Sequence, residues 1–239
     1  MISKRRIILS AIVVGVIVGV LASYAPPLSA RKDIASNFVV LKEKSSAQSP
    51  GAKPYTLYQA WEVAQDFALK WSGDAALISL NSVDVDDPDA VGAGTNEGLG
   101  MDGRRRSWQA VLTSPRLNKQ LFLQIVDGQV IEAIEDGIHD PGIPTIAEKP
   151  SIDSPELIRL AQLNRPGFRG GAGRAIGYHF IFESGGTGTA EPTLKVVGSR
   201  QVSGQQYPVM IVFSHKTGQF IRAQQYESGQ GGAKWTTDF

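Results

Sequence analysis

Two stretches of the chain are nearly the same: residues 126–133 read VDGQVIEA and residues 216–223 read KTGQFIRA, which sets Gly128 and Gly218 90 residues apart. A repeat at that spacing limits the architecture more than any other feature, because it asks for one supersecondary unit built twice. Each stretch reads as a β-hairpin. Asp127-Gly128 stands between alternating runs at 120–126 and 129–135, and an Asp-Gly pair supplies the two positive φ angles of a type I′ turn. In the second copy His215-Lys216-Thr217-Gly218 is a longer turn, with Gly218 in the left-handed position. Turn chemistry accounts for both glycines. It does not account for the Gln, the apolar pair, the charge (Glu132 or Arg222) and the Ala that follow them, and those matches favour duplication.

The elements ahead of the two hairpins also recur. Thr56-Leu57-Tyr58-Gln59 has the spacing of a capping box, and Leu57, Trp61, Ala64, Phe67, Ala68 and Trp71 form a helical stripe ending near Gly73. Strand-like runs follow at 76–85, 106–113, 119–126 and 129–135. After a linker containing Pro141, Pro144 and Pro150, Ser154-Pro155 offers a second helix start, with Leu157, Leu160 and Ala161 as its stripe. Runs at 175–183, 193–199, 207–214 and 219–226 then complete the second copy. The expected fold class is therefore α+β: two tandem units, each one helix packed on a four-stranded antiparallel sheet, over 55–137 and 151–227. A linker at 138–150 joins them, a flexible stalk at 26–54 precedes them, and a flexible tail at 228–239 closes the chain.

Residues 1–25 predict a transmembrane helix ahead of these units. Lys4, Arg5 and Arg6 precede an apolar run over 7–25, close to the roughly 20 residues a spanning helix needs, and the charge bias puts the C-terminal body outside the cytoplasm. A cleaved signal peptide is the competing reading; Pro26 and Pro27, directly after Ser23-Tyr24-Ala25, hinder cleavage and favour an uncleaved anchor. Among 239 residues there is no cysteine, which excludes disulfides, thiolate metal sites and a cysteine nucleophile. A net charge of +1 argues against nucleic acid as a partner.

The order of elements, the closing TGQFIRA hairpin and the expected location together resemble the PepSY and PepSY-like (cystatin-like) domains of bacterial envelope proteins, as two copies over about 55–227. The turn at Asp127-Gly128 is shorter than that family's, and Thr217-Gly218 lacks its usual Asp. The resemblance implies a fold without catalysis or cofactor, one that restrains a protease or contacts a membrane-bound regulator.

Other clusters are weaker signals. Asp84, Asp86, Asp87 and Asp89 suggest calcium, but Asp89 and Thr95 occupy the places where an EF-hand needs Gly and Glu. The glycine-rich 165–177 segment follows a helix and precedes a strand, so it reads as a connection and not as a phosphate loop. His139, His179 and His215 have no metal-site spacing. Arg104, Arg105 and Arg106 form the densest charge of the body and read as a solvated loop end or, functionally, as a contact for an acidic partner protein, lipid headgroups or an anionic wall polymer, with Trp235 as a docking residue. The functional expectation is an extracytoplasmic protein-binding module. A polymer-binding spacer and an enzyme whose site assembles between the repeats are the alternatives.

Overall fold

A computed structural model describes residues 39–41, 53–83, 99–135, 137–171, 176–185, 191–229 and 232–237. In chain order the elements are β1 (Val39–Leu41), α1 (Leu57–Trp71), β2 (Ala76–Val83), β3 (Ser107–Ser114), β4 (Lys119–Val126), β5 (Gln129–Glu135), α2 (Ser154–Asn164), β6 (His179–Glu183), β7 (Thr193–Val202), β8 (Gln205–Ser214), β9 (Phe220–Gly229) and β10 (Gly232–Thr237). All the strands pair antiparallel in one ten-stranded sheet, in the order β1-β5-β4-β3-β2-β6-β7-β8-β9-β10.

The expected pair of separate helix-on-sheet units is therefore overturned. Both copies' strands join edge to edge where β2 pairs β6, with Leu80 opposite Phe182 and Asn81 opposite Ile181. Strand order runs outward from this seam in both directions, so the two halves are related in connectivity as if by a dyad through Asn81–Ile181. Fusion follows from edge chemistry: β2 and β6 each begin their unit's sheet, and pairing them satisfies two rows of backbone groups that two separate sheets would leave open. Among the described residues no helix is long and apolar enough to cross a membrane. The transmembrane helix expected over 7–25 is thus not among the helices of this structure, and that segment lies outside the described residues.

Both helices lie on the same face. Ala60, Ala64 and Ala68 of α1, and Leu157, Ile158 and Ala161 of α2, join one continuous core with Leu80, Trp108, Leu112, Leu123, Phe180, Phe182, Ile211 and Phe213. The Trp108 and Phe180 rings stack across the seam at 6.2 Å. Thr56 forms the capping box with Gln59, as its spacing predicts. The second cap is one residue earlier than Ser154: Asp153 is the N-cap, and its Oδ1 accepts from Ser154 N at 2.8 Å and from Tyr58 N at 2.9 Å. One carboxylate thus serves the amino ends of both helices, where backbone donors lack helical partners. Ser154 Oγ also accepts from Leu57 N at 2.9 Å.

The repeated string now has a physical account. Asp127 and Gly128 take φ of 50° and 78°, the left-handed pair of a type I′ turn, and Gly218 takes 68°. A methyl group on Gly128 would overlap the Tyr55 ring, and one on Gly218 would overlap Ile152 Cδ1. Tyr55 and Ile152 each directly precede the N-cap of their own half's helix, so in both halves the turn glycine makes room for the residue that leads into the helix. Beyond the glycine both hairpins shift register at the same place, between Gln124 and Ile125 in one and between Val212 and Phe213 in the other. The shifts leave Ile131 and Ile221 as the extra residues, so the matched letters encode the same bulge. Ala133 and Ala223 then return to the core under the helices.

Three further segments carry structure. The 138–150 linker is held by Ile146, which is buried and whose N–H donates to Leu77 O at 2.7 Å. The 228–239 tail is not flexible throughout, because Gly232–Thr237 pairs with β9 as β10. Likewise, Val39–Leu41 of the expected stalk pairs with β5.

Candidate functional site

The sheet face away from the helices carries the buried charges. His179, Ile181 and Glu183 alternate onto this back face of β6, and Lys195 and Val197 onto that of β7. Each of these is at most 8% exposed. At one end of the seam Arg105 Nη2 lies 2.7 Å from both ring nitrogens of His179, and Nη1 donates to Ile176 O at 3.1 Å. Burial, and then the Arg105 charge, hold His179 well below its ordinary pKa, so the ring is neutral and can accept from the guanidinium. Arg105 thereby ties the approach to β3 to the start of β6. Trp108 Nε1 donates to Arg105 O at 3.0 Å and fixes the same corner.

At the other end Lys195 Nζ donates to Glu183 Oε1, with side-chain exposures of 3% and 7%. Burial lowers the Lys195 pKa, and the Glu183 carboxylate opposes that shift. Between the two ends Ile181, Val197, Met210 and Val212 form a small apolar cluster against which Trp235 of β10 packs. Glu183 and Lys195 are not among the candidate residues that motif and spacing single out. Their signal was present: a charged residue inside each of two otherwise apolar stretches, HFIFE and TLKVV, whose neighbours leave it nowhere to go but the interior.

The three arginines do not form one surface. Arg104 is exposed and pairs with Asp102 at 3.8 Å, Arg105 is buried in the seam, and Arg106 makes a two-pronged contact with Asp127 at 2.9 and 2.6 Å. Asp127 therefore serves both the turn and the pairing of that turn with the start of β3. Thr217 is exposed in its turn, and Gly218 N donates to Ser214 O at 2.9 Å. His139 Nδ1 lies 2.8 Å from Thr113 Oγ1, and the His215 carbonyl accepts from Ser151 N at 3.1 Å. Among the described residues no cluster of three metal-ligating side chains occurs, and 84–98, which holds the Asp-rich loop, lies outside them. Of the 165–177 segment, the described residues bridge through Arg169–Ser199 and Gly171–Gly177 as the connection between α2 and β6.

Trp235 is an anchor and not a loose docking group. Its ring meets Tyr226 edge-on at 5.4 Å, and Thr236 Oγ1 donates to Gln225 O at 3.3 Å. Together they hold β10, which among the described residues borders only β9. The pair Gly229–Gly232 closes the hairpin, so alternation directs the amides of Ala233, Trp235 and Thr237 away from β9. This edge is six residues long, against three for β1 at the opposite border.

No protein-family model, no curated protein and no solved structure matches this chain, so the PepSY-like resemblance receives no support from them.

Proposed function

We propose that the protein is a non-catalytic binding module that captures another protein, a protease or a regulator, by strand addition to the β10 edge. The observation that carries this reading is the geometry of β10: a terminal strand, anchored from beneath by Trp235 and Tyr226, whose outward amides meet no other strand among the described residues. Main-chain pairing to such an edge supplies affinity, and alternate side chains supply specificity. Replacing Ala233 by Pro removes one outward donor without costing a β9–β10 bond, because proline is tolerated where a strand's N–H faces outward. The test is co-purification with the intact protein: a partner held by wild type and lost with Ala233→Pro, at unchanged melting temperature, is the expected result. A partner retained equally by both overturns strand addition.

A second reading, chemistry between the repeats, is favoured by one observation: Arg105, His179, Glu183 and Lys195 are all buried along the seam. It predicts that a hydrolytic or group-transfer activity found in the purified protein disappears with His179→Gln while the fold persists.

A further inference from the structure

Ser79, Glu183 and Thr193 stand directly opposite one another across β2, β6 and β7. They lie on the back face at the Lys195 end of the seam, at exposures of 1%, 5% and 1%. Among the described residues, Ser79 Oγ, Glu183 Oε2 and Thr193 Oγ1 have no hydrogen-bond partner, although the other Glu183 oxygen takes Lys195. Three residues opposite one another, on strands about 4.8 Å apart, thus each carry a buried oxygen without a partner among the described residues. Native interiors do not leave such groups dry, because desolvation without a partner is unfavourable for each of them.

We propose that this row is a built site for ordered water, bridging the two halves of the molecule at their seam. The chemistry of the row selects the ligand. Glu183 already has Lys195 as its counter-charge, with Arg222 acting on Lys195 from the same face, and the row of Ser79, Glu183 and Thr193 holds no second carboxylate for an added cation. A carboxylate oxygen only accepts, whereas the two hydroxyls can do either, so the ligand has to donate to Glu183 and exchange bonds with Ser79 and Thr193. Beside Lys195 the cross-strand neighbours are Ile181 and Val212, which offer nothing to the extra polar groups of a polyol or amide. Water has two donors, two acceptors and the required size.

A crystal structure of the full chain at a resolution that orders solvent tests this directly. Expected is solvent density within about 2.6–3.2 Å of Glu183 Oε2 and of Ser79 Oγ or Thr193 Oγ1. An ordered row without solvent, or hydroxyls turned onto protein acceptors, overturns the proposal. The isosteric variant Thr193→Val gives an independent sign. A hydroxyl that holds water loses that bond, lowering Tm by about 2–4 °C for a chain of this size. A dry hydroxyl replaced by methyl leaves Tm unchanged or raises it, which also overturns the proposal, and Ser79→Ala repeats the test from the other strand.

Discussion

In the first half of the sheet the back face carries Val111, Phe122 and Ile134 in one cross-strand row and Gln109, Gln124 and Glu132 in the next, all half-buried. Counted from the shared bulge, the matching rows of the second half are Val197, Met210 and Gln224, and Lys195, Val212 and Arg222. Here Val197, Met210, Lys195 and Val212 are buried, and Trp235 packs against the cluster. The helix-facing sides of the halves are alike, with alanines and large apolar residues under each helix. Both copies must fill the space beneath a helix, so that side is held to one pattern. The back face is under no such demand, and there one copy kept a mixed, half-wet surface while the other enclosed an ion pair.

The largest test of that asymmetry is to remove one charge. Lys195→Met strands Glu183 in the interior and is expected to cost roughly 3–5 kcal/mol in urea unfolding, whereas Lys195→Met with Glu183→Leu recovers most of the loss. The matching change in the first half, Gln109→Met, is expected to stay within about 0.5 kcal/mol because that position is half-buried and carries no buried partner. Equal effects at both positions would mean that the two back faces are energetically alike after all.

The turns sharpen the comparison from the helix side. Gly128→Ala and Gly218→Ala both force a side chain into positive φ, but the first also meets the rigid Tyr55 ring and the second the swinging end of Ile152. Gly128→Ala is expected to cost about 2–3 kcal/mol and Gly218→Ala about 1 kcal/mol. Trimming Ile152 to Val should relieve part of the second cost, and thermal unfolding of the single and double variants measures it.

His179 has no histidine at its mirror position across the seam, where Ser79 stands. Its folded pKa is depressed from 6.5 by burial and then by Arg105, so the unfolded chain takes up a proton that the folded chain refuses. Stability from this group is therefore complete above about pH 6.5 and falls as the pH drops below it, toward the depressed folded value. His215, also depressed by burial, acts in the same direction. The difference in acid sensitivity between wild type and His179→Gln isolates the His179 part, and identical unfolding curves across this range would refute it.

How much of this was legible in the sequence depends on the range of the interaction. The capping box at Thr56 and the turn at Asp127-Gly128 rest on neighbours in the chain, and local chemistry sufficed to read them. The pairing of β2 with β6 links residues about 100 apart, and nothing in either strand's own pattern says whether its edge meets solvent or its sister copy. The same blindness split the arginine run: three adjacent residues look like one patch, but strand alternation and the seam send them to three different surroundings. Trp235 was placed in a tail because its glycine-rich approach reads as loop, and only its contact with Tyr226 and the back-face cluster makes β10 a strand.

The smallest of the expected effects bears on the joint between the halves. Thr56 and Asp153 occupy matching caps, but Thr56 serves its own helix alone while Asp153 Oδ1 accepts from Ser154 N and, across the joint, from Tyr58 N. Thr56→Ala and Asp153→Ala should each cost about 1 kcal/mol, the usual value of an N-cap, so global stability will scarcely separate them. Hydrogen exchange will, because it reads each amide's local opening. Thr56→Ala is expected to speed exchange at Gln59 only, and Asp153→Ala at Ser154 and Tyr58 together, in different halves of the chain. Were Tyr58 to keep its protection in Asp153→Ala, capping across the joint would fall to Ser154 Oγ and Leu57 N alone, beside the β2–β6 pairing and the shared core.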